Sequence, residues 1–460
     1  MTTEISFDQG TLVLKGDPSP EITSLPGMKW DSRTRVWRAP ACFYREIILA
    51  LHNRKLPYED LARNYRREAF PLVKKIVPRP FQQEAMEAWY RHNMRGVVCL
   101  PTGAGKTILA VMLIEKVGRP TLIHVPTIDL MQQWHAVLTT YFGREIGLLG
   151  GGYKEIAPIT VATYDSALLH VADKGNRFAF AIFDECHHLP GEQYRYTAIS
   201  SLAPFRLGLT ATPERSDGLE EQLYQLAGEL CYRAEIRSLE GETLAPYEVV
   251  TLPVALTEEE RLLYEGEREI YLTFLRSERI NMGARNGWQQ FIWKSSRTPE
   301  GRRAFKAYLT QKKLSLAASA KETAVWELLV KHAGDRILIF TQDNETAYRL
   351  GRRYLLPVLT HHTRVKEREQ FLSAFREGRY PVLVTSKVLN EGVDVPEANV
   401  GIIVSGSGSV REHVQRLGRL LRARPGKKAV LYELIAADTG EHFVNQRRRK
   451  HDAYQKPGSA

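Results

Sequence analysis

The stretch Val97-Val98-Cys99-Leu100-Pro101-Thr102-Gly103-Ala104-Gly105-Lys106-Thr107 is an apolar run that breaks into a Gly-containing turn ending in Gly-Lys-Thr. A turn of this kind between a buried strand and a helix points backbone N–H groups at a phosphate, with the lysine reaching the β/γ-phosphates and the threonine hydroxyl holding Mg²⁺. On that reading Thr102, Gly103, Ala104, Gly105, Lys106 and Thr107 cradle a nucleotide. The full pattern has Gly where this chain has Leu100, so the surrounding sequence decides.

That surrounding sequence alternates strand and helix signals. Upstream, Arg79-Pro80-Phe81-Gln82 opens an amphipathic helix running to Tyr90; a guanidinium, an aromatic and an amide there suit an adenine, and a plain helix N-terminus is the alternative. Downstream, residues 108–117 are apolar at helical spacing, and 121–125, 159–163, 178–183 and 205–209 are continuous β-rich runs. Such alternation predicts a parallel sheet covered on both faces, with ligands at the carboxyl ends of the strands.

Two of those ends carry chemistry. Residues 178–183 run into Asp184-Glu185-Cys186-His187-His188, where Asp184 is placed to hold Mg²⁺ and Glu185 to polarise an attacking water. Zinc is the competing reading of Cys186, His187 and His188, but three consecutive residues do not converge easily on one metal. Residues 205–209 run into Thr210-Ala211-Thr212-Pro213, whose hydroxyls suit hydrogen-bonded coupling to a neighbouring surface or, more simply, a strand-capping turn.

A second alternating series follows, with strands expected at 336–340, 354–359, 381–385, 400–404 and 429–434 and helices at 365–375 and 410–421. It has no phosphate loop of its own. On the last helix Gln415, Arg419 and Arg422 share one face, and paired guanidiniums there suit the charge that develops on a γ-phosphate. Residues 247–256 read as an edge strand. Between the two series, 257–318 is helical and charged, with Trp288, Phe291 and Trp293 interleaved among Arg276, Arg279, Arg297, Arg303 and further cations. Basic residues with aromatics suit a nucleic-acid backbone with stacked bases, and internal packing of the helices is the other use. The first 65 residues read as a small separate unit whose Trp30, Trp37, Arg33, Arg35 and Arg38 form either a nucleic-acid face or a core.

Composition bounds the rest. At 460 residues, two to four domains are expected. No apolar run reaches the roughly 20 residues of a membrane helix, and the first residues lack a signal-peptide layout. Cys42, Cys99, Cys186 and Cys231 lie too far apart for a zinc ribbon or iron–sulfur cluster. These features point to a cytoplasmic, nucleoid-associated protein with reduced thiols and no metal beyond Mg²⁺. The net charge of +11 favours a polyanionic partner.

Taken in order, these motifs resemble those of a superfamily 2 helicase over about 350 residues: 79–82 is similar to the Q motif, 101–107 to motif I, Val125-Pro126-Thr127 to motif Ia, 184–187 to the D-E-x-H form of motif II, 210–212 to motif III, 385–396 to motif V and 415–422 to motif VI. In that family the position of Leu100 is often not Gly. Within it, Thr210 to Gly218 resembles the XPB group, whose T-A-T is followed by an Arg-Glu-Asp element; here Arg215 and Asp217 flank Ser216.

The resemblance implies an α/β fold with two RecA-like parallel-sheet domains in tandem, a small N-terminal α+β domain and a helical insertion. The domains would be a damage-recognition-like domain over 1–65, helicase domain 1 over 70–235, helicase domain 2 over 246–256 and 319–440, a thumb-like insertion over 257–318 and a tail over 441–460. It implies ATP and Mg²⁺ as cofactors, with Arg79, Phe81 and Gln82 at adenine, Lys106 and Thr107 at the phosphates and metal, and Gly392 and Asp394 also at the nucleotide. Asp184, Glu185, Gln415, Arg419 and Arg422 would be catalytic. Pro126, Thr127, Thr210, Thr212, Arg215, Asp217 and Thr385 would contact or couple to DNA. The implied activity is ATP-driven 3′ to 5′ movement that opens DNA in repair or transcription, with duplex translocation or RNA unwinding as the alternative output. A monomer is expected, with a nuclease or a transcription or repair protein as partner.

Overall fold

The computed structural model describes residues 3–15, 20–214, 218–235, 237–239, 245–284, 286–386, 398–405 and 429–442. Two compact units divide the chain after Ser238.

The first unit opens with a five-stranded sheet: β1 (Thr3–Asp8), β2 (Thr11–Lys15), β3 (Lys29–Asp31), β4 (Val36–Pro40) and β5 (Tyr58–Asp60), in the order β3-β4-β2-β1-β5. β1 and β2 form an antiparallel hairpin closed by Gln9 and Gly10, both at positive φ, a turn whose twist matches that of the strands. The helix Tyr44–Asn53 lays Tyr44, Ile47 and Leu51 on the sheet, burying them with Ile5, Leu12 and Leu14. Leu202, far along the chain, fills the same core, so this sheet is completed by the domain that follows. Thr3–Asp8 alternates buried and partly exposed residues, as a strand with one face on a core does, and Tyr58–Asp60 is a three-residue strand.

The second sheet of this unit has eight strands: β6 (Arg95–Cys99), β7 (Thr121–Val125), β8 (Gly147–Gly150), β9 (Tyr153–Glu155), β10 (Ile159–Thr163), β11 (Phe180–Asp184), β12 (Phe205–Thr210) and β13 (Leu230–Arg233). Their order is β13-β6-β12-β11-β7-β10-β8-β9, and all pairs are parallel except the β8–β9 hairpin. β7, β10 and β11 are buried along their whole length, which is why they appear in the sequence as continuous runs rich in apolar and β-branched residues. β8, β9 and β13 carry no strand signal in the sequence because they are short and mix glycine or charged residues with apolar ones. The order sets β12 between β6 and β11, and the register pairs Thr210 with Cys99 and Asp184 with Leu209. The phosphate loop, Thr210 and Asp184 therefore emerge side by side at one end of the sheet.

The second unit holds a six-stranded, wholly parallel sheet: β14 (Tyr247–Val254), β15 (Ile337–Phe340), β16 (Val358–Leu359), β17 (Val382–Thr385), β18 (Val400–Ile403) and β19 (Ala429–Ala436), ordered β14-β19-β18-β15-β17-β16. β14 is an edge strand, as expected. The strand expected at 354–359 is a correction: Tyr354 ends the helix Asn344–Tyr354, Leu355 turns the chain at φ 53°, and only Val358 and Leu359 pair in the sheet. Between β14 and β15 stand the helices Glu258–Ser277, Gly287–Ser295 and Pro299–Leu316 around a core of Phe274, Ile280, Phe291 and Ala304. Residue 441, assigned by sequence to a tail, is also corrected. Glu441 is buried and paired with buried Lys321 at 2.7 Å, with Ala436 N–H also donating to it.

Candidate nucleotide site

β6 delivers the chain to a loop in which Gly103 and Gly105 both have φ near +87°, a left-handed conformation that glycine adopts without strain. The helix Lys106–Val117 starts immediately after it, so its first N–H groups face the turn. A Cβ on Gly105 would meet Gln82 Nε2 at 3.0 Å. Gln82 is buried and bridges two motifs: its Nε2 donates to Gly105 O at 3.2 Å and its Oε1 accepts from Arg79 N–H at 3.0 Å. Phe81 is buried beside it, whereas Arg79 is exposed. Lys106 Nζ donates to Leu100 O at 3.3 Å and lies 4.0 Å from Glu185 Oε1.

Asp184 closes the site from β11. Trp134 Nε1 donates to its Oδ2 at 2.7 Å, Glu185 N–H donates to its Oδ1 at 3.0 Å, and Tyr164 OH donates to its backbone carbonyl at 3.0 Å. Burial, reinforced by the Glu185 charge, pushes the Asp184 carboxyl up to about 6, with Lys106 and Trp134 acting in the opposite direction. Glu185 itself stands at φ 46°, which turns its side chain out of the strand line toward Lys106 and His187; His187 Nδ1 is 3.5 Å from Glu185 Oε2. His187 Nδ1 also meets Thr210 Oγ1 at 3.2 Å, and that oxygen donates to Thr212 O and accepts from Thr212 N–H. A continuous polar chain thus runs from the acid at β11 to the turn after β12.

Three buried oxygens at this site, Thr102 Oγ1, Glu185 Oε2 and Thr212 Oγ1, have no hydrogen-bond partner. Buried polar groups left unpaired mark places where another group completes them. Together with the glycine turn, Lys106, and a buried carboxylate at the strand end, they fit a nucleotide phosphate chain and its Mg²⁺. No group of three or more His, Cys, Asp or Glu side chains suited to a metal ion occurs among the described residues. Cys186 is a core residue.

The structure brings Gln82, Thr102–Thr107, Asp184, Glu185, Thr210 and Thr212 together at adjacent strand ends. Gln415, Arg419, Arg422, Gly392, Asp394, Arg215 and Asp217 lie outside the described residues. Trp134 and Tyr164 are the site residues that sequence reasoning missed. Trp134 sits on the buried face of the helix Ile128–Phe142 with Met131 and Leu138, a pattern that reads simply as core.

The residues expected to meet DNA divide. Thr127 Oγ1 caps the helix Ile128–Phe142 by accepting from Leu130 N–H at 3.2 Å, and Pro126 and Thr127 keep partial exposure. Thr385 is fully buried, its hydroxyl donating to Ser386 O. In the three-helix block the alternatives separate by residue. Phe291 is fully buried against Tyr271, Phe274 and Tyr308, while Trp293 is 54% exposed with the Arg297 guanidinium stacked 3.4 Å from its ring centre. Several cations there are already matched: Arg276 to Glu269, Lys294 to Glu278, Arg303 to Glu267 and Lys313 to Glu345. In the N-terminal sheet Trp37 packs on the core and Trp30 is half-exposed beside it, with Arg33 and Arg38 held by Asp31.

Three family models match in chain order: the xeroderma pigmentosum group B helicase damage recognition domain over residues 5–62, the type III restriction enzyme res subunit over 75–215 and the helicase conserved C-terminal domain over 320–424. A protein of Sulfurisphaera tokodaii named DNA 3′-5′ translocase XPB2 is 38% identical over 92% of this chain and 96% of its own length. A Mycobacterium tuberculosis protein named DNA 3′-5′ helicase XPB is 32% identical over 85% of this chain and 67% of its own length. The XPB subunit of the Schizosaccharomyces pombe general transcription and DNA repair factor IIH is 26% identical over 81% of this chain, and 45% of that protein is covered. Among solved structures the Pyrococcus furiosus Hef helicase domain shares the fold, with a TM-score of 0.54 at 17% identity over 80% of this chain and 97% of that one. Motif order, site geometry and these relatives agree, and the chain belongs to the XPB family of DNA 3′-5′ helicases and translocases.

Proposed function

We propose that this protein hydrolyses ATP to drive 3′ to 5′ movement along DNA, in repair or transcription-linked remodelling. The observation that carries the reading is the meeting of Lys106, Asp184 and Glu185, whose buried Oε2 accepts no hydrogen bond, at the end of two strands separated only by β12. Lys106 and the N–H groups of residues 103–107 hold the phosphates, and Thr107 and Asp184 hold Mg²⁺. The metal, when bound, neutralises charge on the phosphate oxygens. Glu185 orients the attacking water and takes its proton at Oε2, with His187 beside it. His187, Thr210 and Thr212 link that event to the turn after β12, the route by which the state of the nucleotide reaches the DNA-facing surface. Gln82 ties the adenine-side helix to the phosphate loop through Gly105. The parts of Gln415, Arg419 and Arg422 rest on the motif resemblance.

The relative most fully covered here is named a translocase and the mycobacterial one a helicase, so the output is either duplex translocation or strand separation. Steady-state ATP hydrolysis with no nucleic acid, single-stranded DNA, duplex, forked DNA and RNA, each beside Lys106→Ala, tests the reading. DNA stimulation that disappears in the variant is the expected result. An unwinding assay on the same forks separates the two outputs.

A further inference from the structure

A second concave site lies in the first unit at the opposite end of the eight-stranded sheet from the phosphate loop. Its floor is Pro120, Ile156, Ala157, Pro158 and Phe178, the residues that lead into or precede β7, β10 and β11. Its rim is Arg63, Asn64, Tyr65 and Arg66, from the segment leaving the N-terminal sheet, together with Arg177. The cavity has a volume of about 430 Å³ and no acidic residue lines it.

The rim is positively charged and largely uncompensated. Arg66, Arg67 and Arg177 make no side-chain hydrogen bond or ion pair among the described residues. Arg63 is matched by Asp60 at 3.2 Å, the one acid bound to the cluster. Arg119, next to Pro120, has its guanidinium pKa lowered by burial and then by the proximity of Arg67 and Arg63. Like charges gathered at one place cost free energy unless an anion is bound among them.

The backbone that presents these arginines is fixed rather than loose. Asn64 N–H donates to Asn176 O at 2.9 Å, Asn176 Nδ2 donates to Ala62 O at 2.9 Å, and Glu68 N–H donates to Gly118 O at 3.1 Å. The segment after β5 is thus pinned to the loops before β7 and β11, which gathers Arg63, Arg66 and Arg177, from two separate stretches of sequence, around one cavity.

We propose that this pocket is a second DNA contact that grips the phosphodiester backbone away from the nucleotide end of the sheet. The guanidinium fork matches phosphate oxygens in pairs, and the open, acid-free rim lets a continuous polyanion cross it. The apolar floor accepts sugar edges. The inference takes its ligand class from the proposed function and adds a site to it.

The test uses the full chain and a labelled DNA duplex of about 40 base pairs, with affinity followed by fluorescence anisotropy across roughly 50 to 200 mM salt. Arg66→Glu/Arg177→Glu is compared with Lys154→Glu, an exposed cation on β9. The expected result is at least about tenfold weaker binding for the double variant, with the slope of log affinity against log salt reduced by about two. ATP hydrolysis at saturating DNA stays near that of the parent chain. Affinity and slope equal to those of Lys154→Glu overturn the pocket. So does loss of binding to a labelled polyglutamate peptide with DNA binding unchanged, which assigns the pocket to an acidic protein. A parent chain whose hydrolysis ignores DNA contradicts the proposed function instead, so the two failures are distinguishable.

Discussion

The indole N–H of Trp134 donates to Asp184 Oδ2 at 2.7 Å, and both side chains are buried. The motif II carboxylate is therefore held by a residue from the helix after β7. Trp134→Phe keeps most of the ring volume and removes the donor, leaving a buried carboxylate oxygen unpaired at a cost of about 1–3 kcal/mol. Because the partner orients a metal-holding group, the Mg²⁺ concentration needed for half-maximal ATP hydrolysis is expected to rise on the order of tenfold. A Mg²⁺ titration of the hydrolysis rate checks this, and an unchanged midpoint contradicts the positioning role.

Acidity acts on the same carboxylate with opposite signs for stability and activity. Asp184 is raised from an ordinary 3.8 to about 6, mainly by burial and then by Glu185. Between those values the folded chain holds a proton that the unfolded chain has lost, so this group's contribution to stability falls as pH rises through the window. Activity needs the ionised form, so hydrolysis is expected to decline as pH drops through about 6. Raising Mg²⁺ favours the carboxylate and shifts that acid limb to lower pH. Rate profiles at two Mg²⁺ concentrations measure the shift.

Gly105→Ala joins two penalties, a methyl group at φ 87° and a Cβ 3.0 Å from Gln82 Nε2. A destabilisation of about 1–3 kcal/mol is expected from the backbone strain. ATP binding, followed with a fluorescent nucleotide, is expected to weaken with it. Gln82→Ala relieves the contact but not the strain, so the double variant recovers only part of the loss in thermal unfolding.

In the second unit Lys321 and Glu441 form a fully buried pair, with Lys321 Nζ also donating to Val404 O at 3.0 Å. Lys321→Met strands the carboxylate and is expected to cost about 3–5 kcal/mol. Lys321→Met/Glu441→Gln leaves no buried charge and is expected to recover part of it, read by chemical denaturation. Equal stabilities of the two variants contradict the pairing.

Legibility in the sequence followed burial. β7, β10 and β11 are buried on both faces, and their apolar runs announced the parallel sheet and with it the positions of Lys106, Asp184 and Glu185. β8 and β13 carry little continuous apolar signal and exist because neighbouring strands complete them. The strand expected over 354–359 shrinks to the two residues of β16, since Tyr354 and Leu356 are apolar because they pack on the core of the second unit, and Leu355 between them is 91% exposed at the turn. Trp134 was invisible as a site residue because its partner is 50 positions away, a contact only the fold creates. Phe291 and Trp293, two positions apart on one helix, show why interleaved aromatics and cations are ambiguous on sequence alone: one is core and the other carries an arginine at the surface.

The central claim is tested most directly by ATP hydrolysis of Glu185→Gln beside the parent chain, with and without DNA. The substitution keeps size and hydrogen-bonding capacity while removing the proton acceptor. The account predicts DNA-stimulated hydrolysis in the parent and a loss of on the order of a hundredfold or more in the variant, with nucleotide and DNA binding retained. A variant that hydrolyses ATP at the parent rate would contradict it.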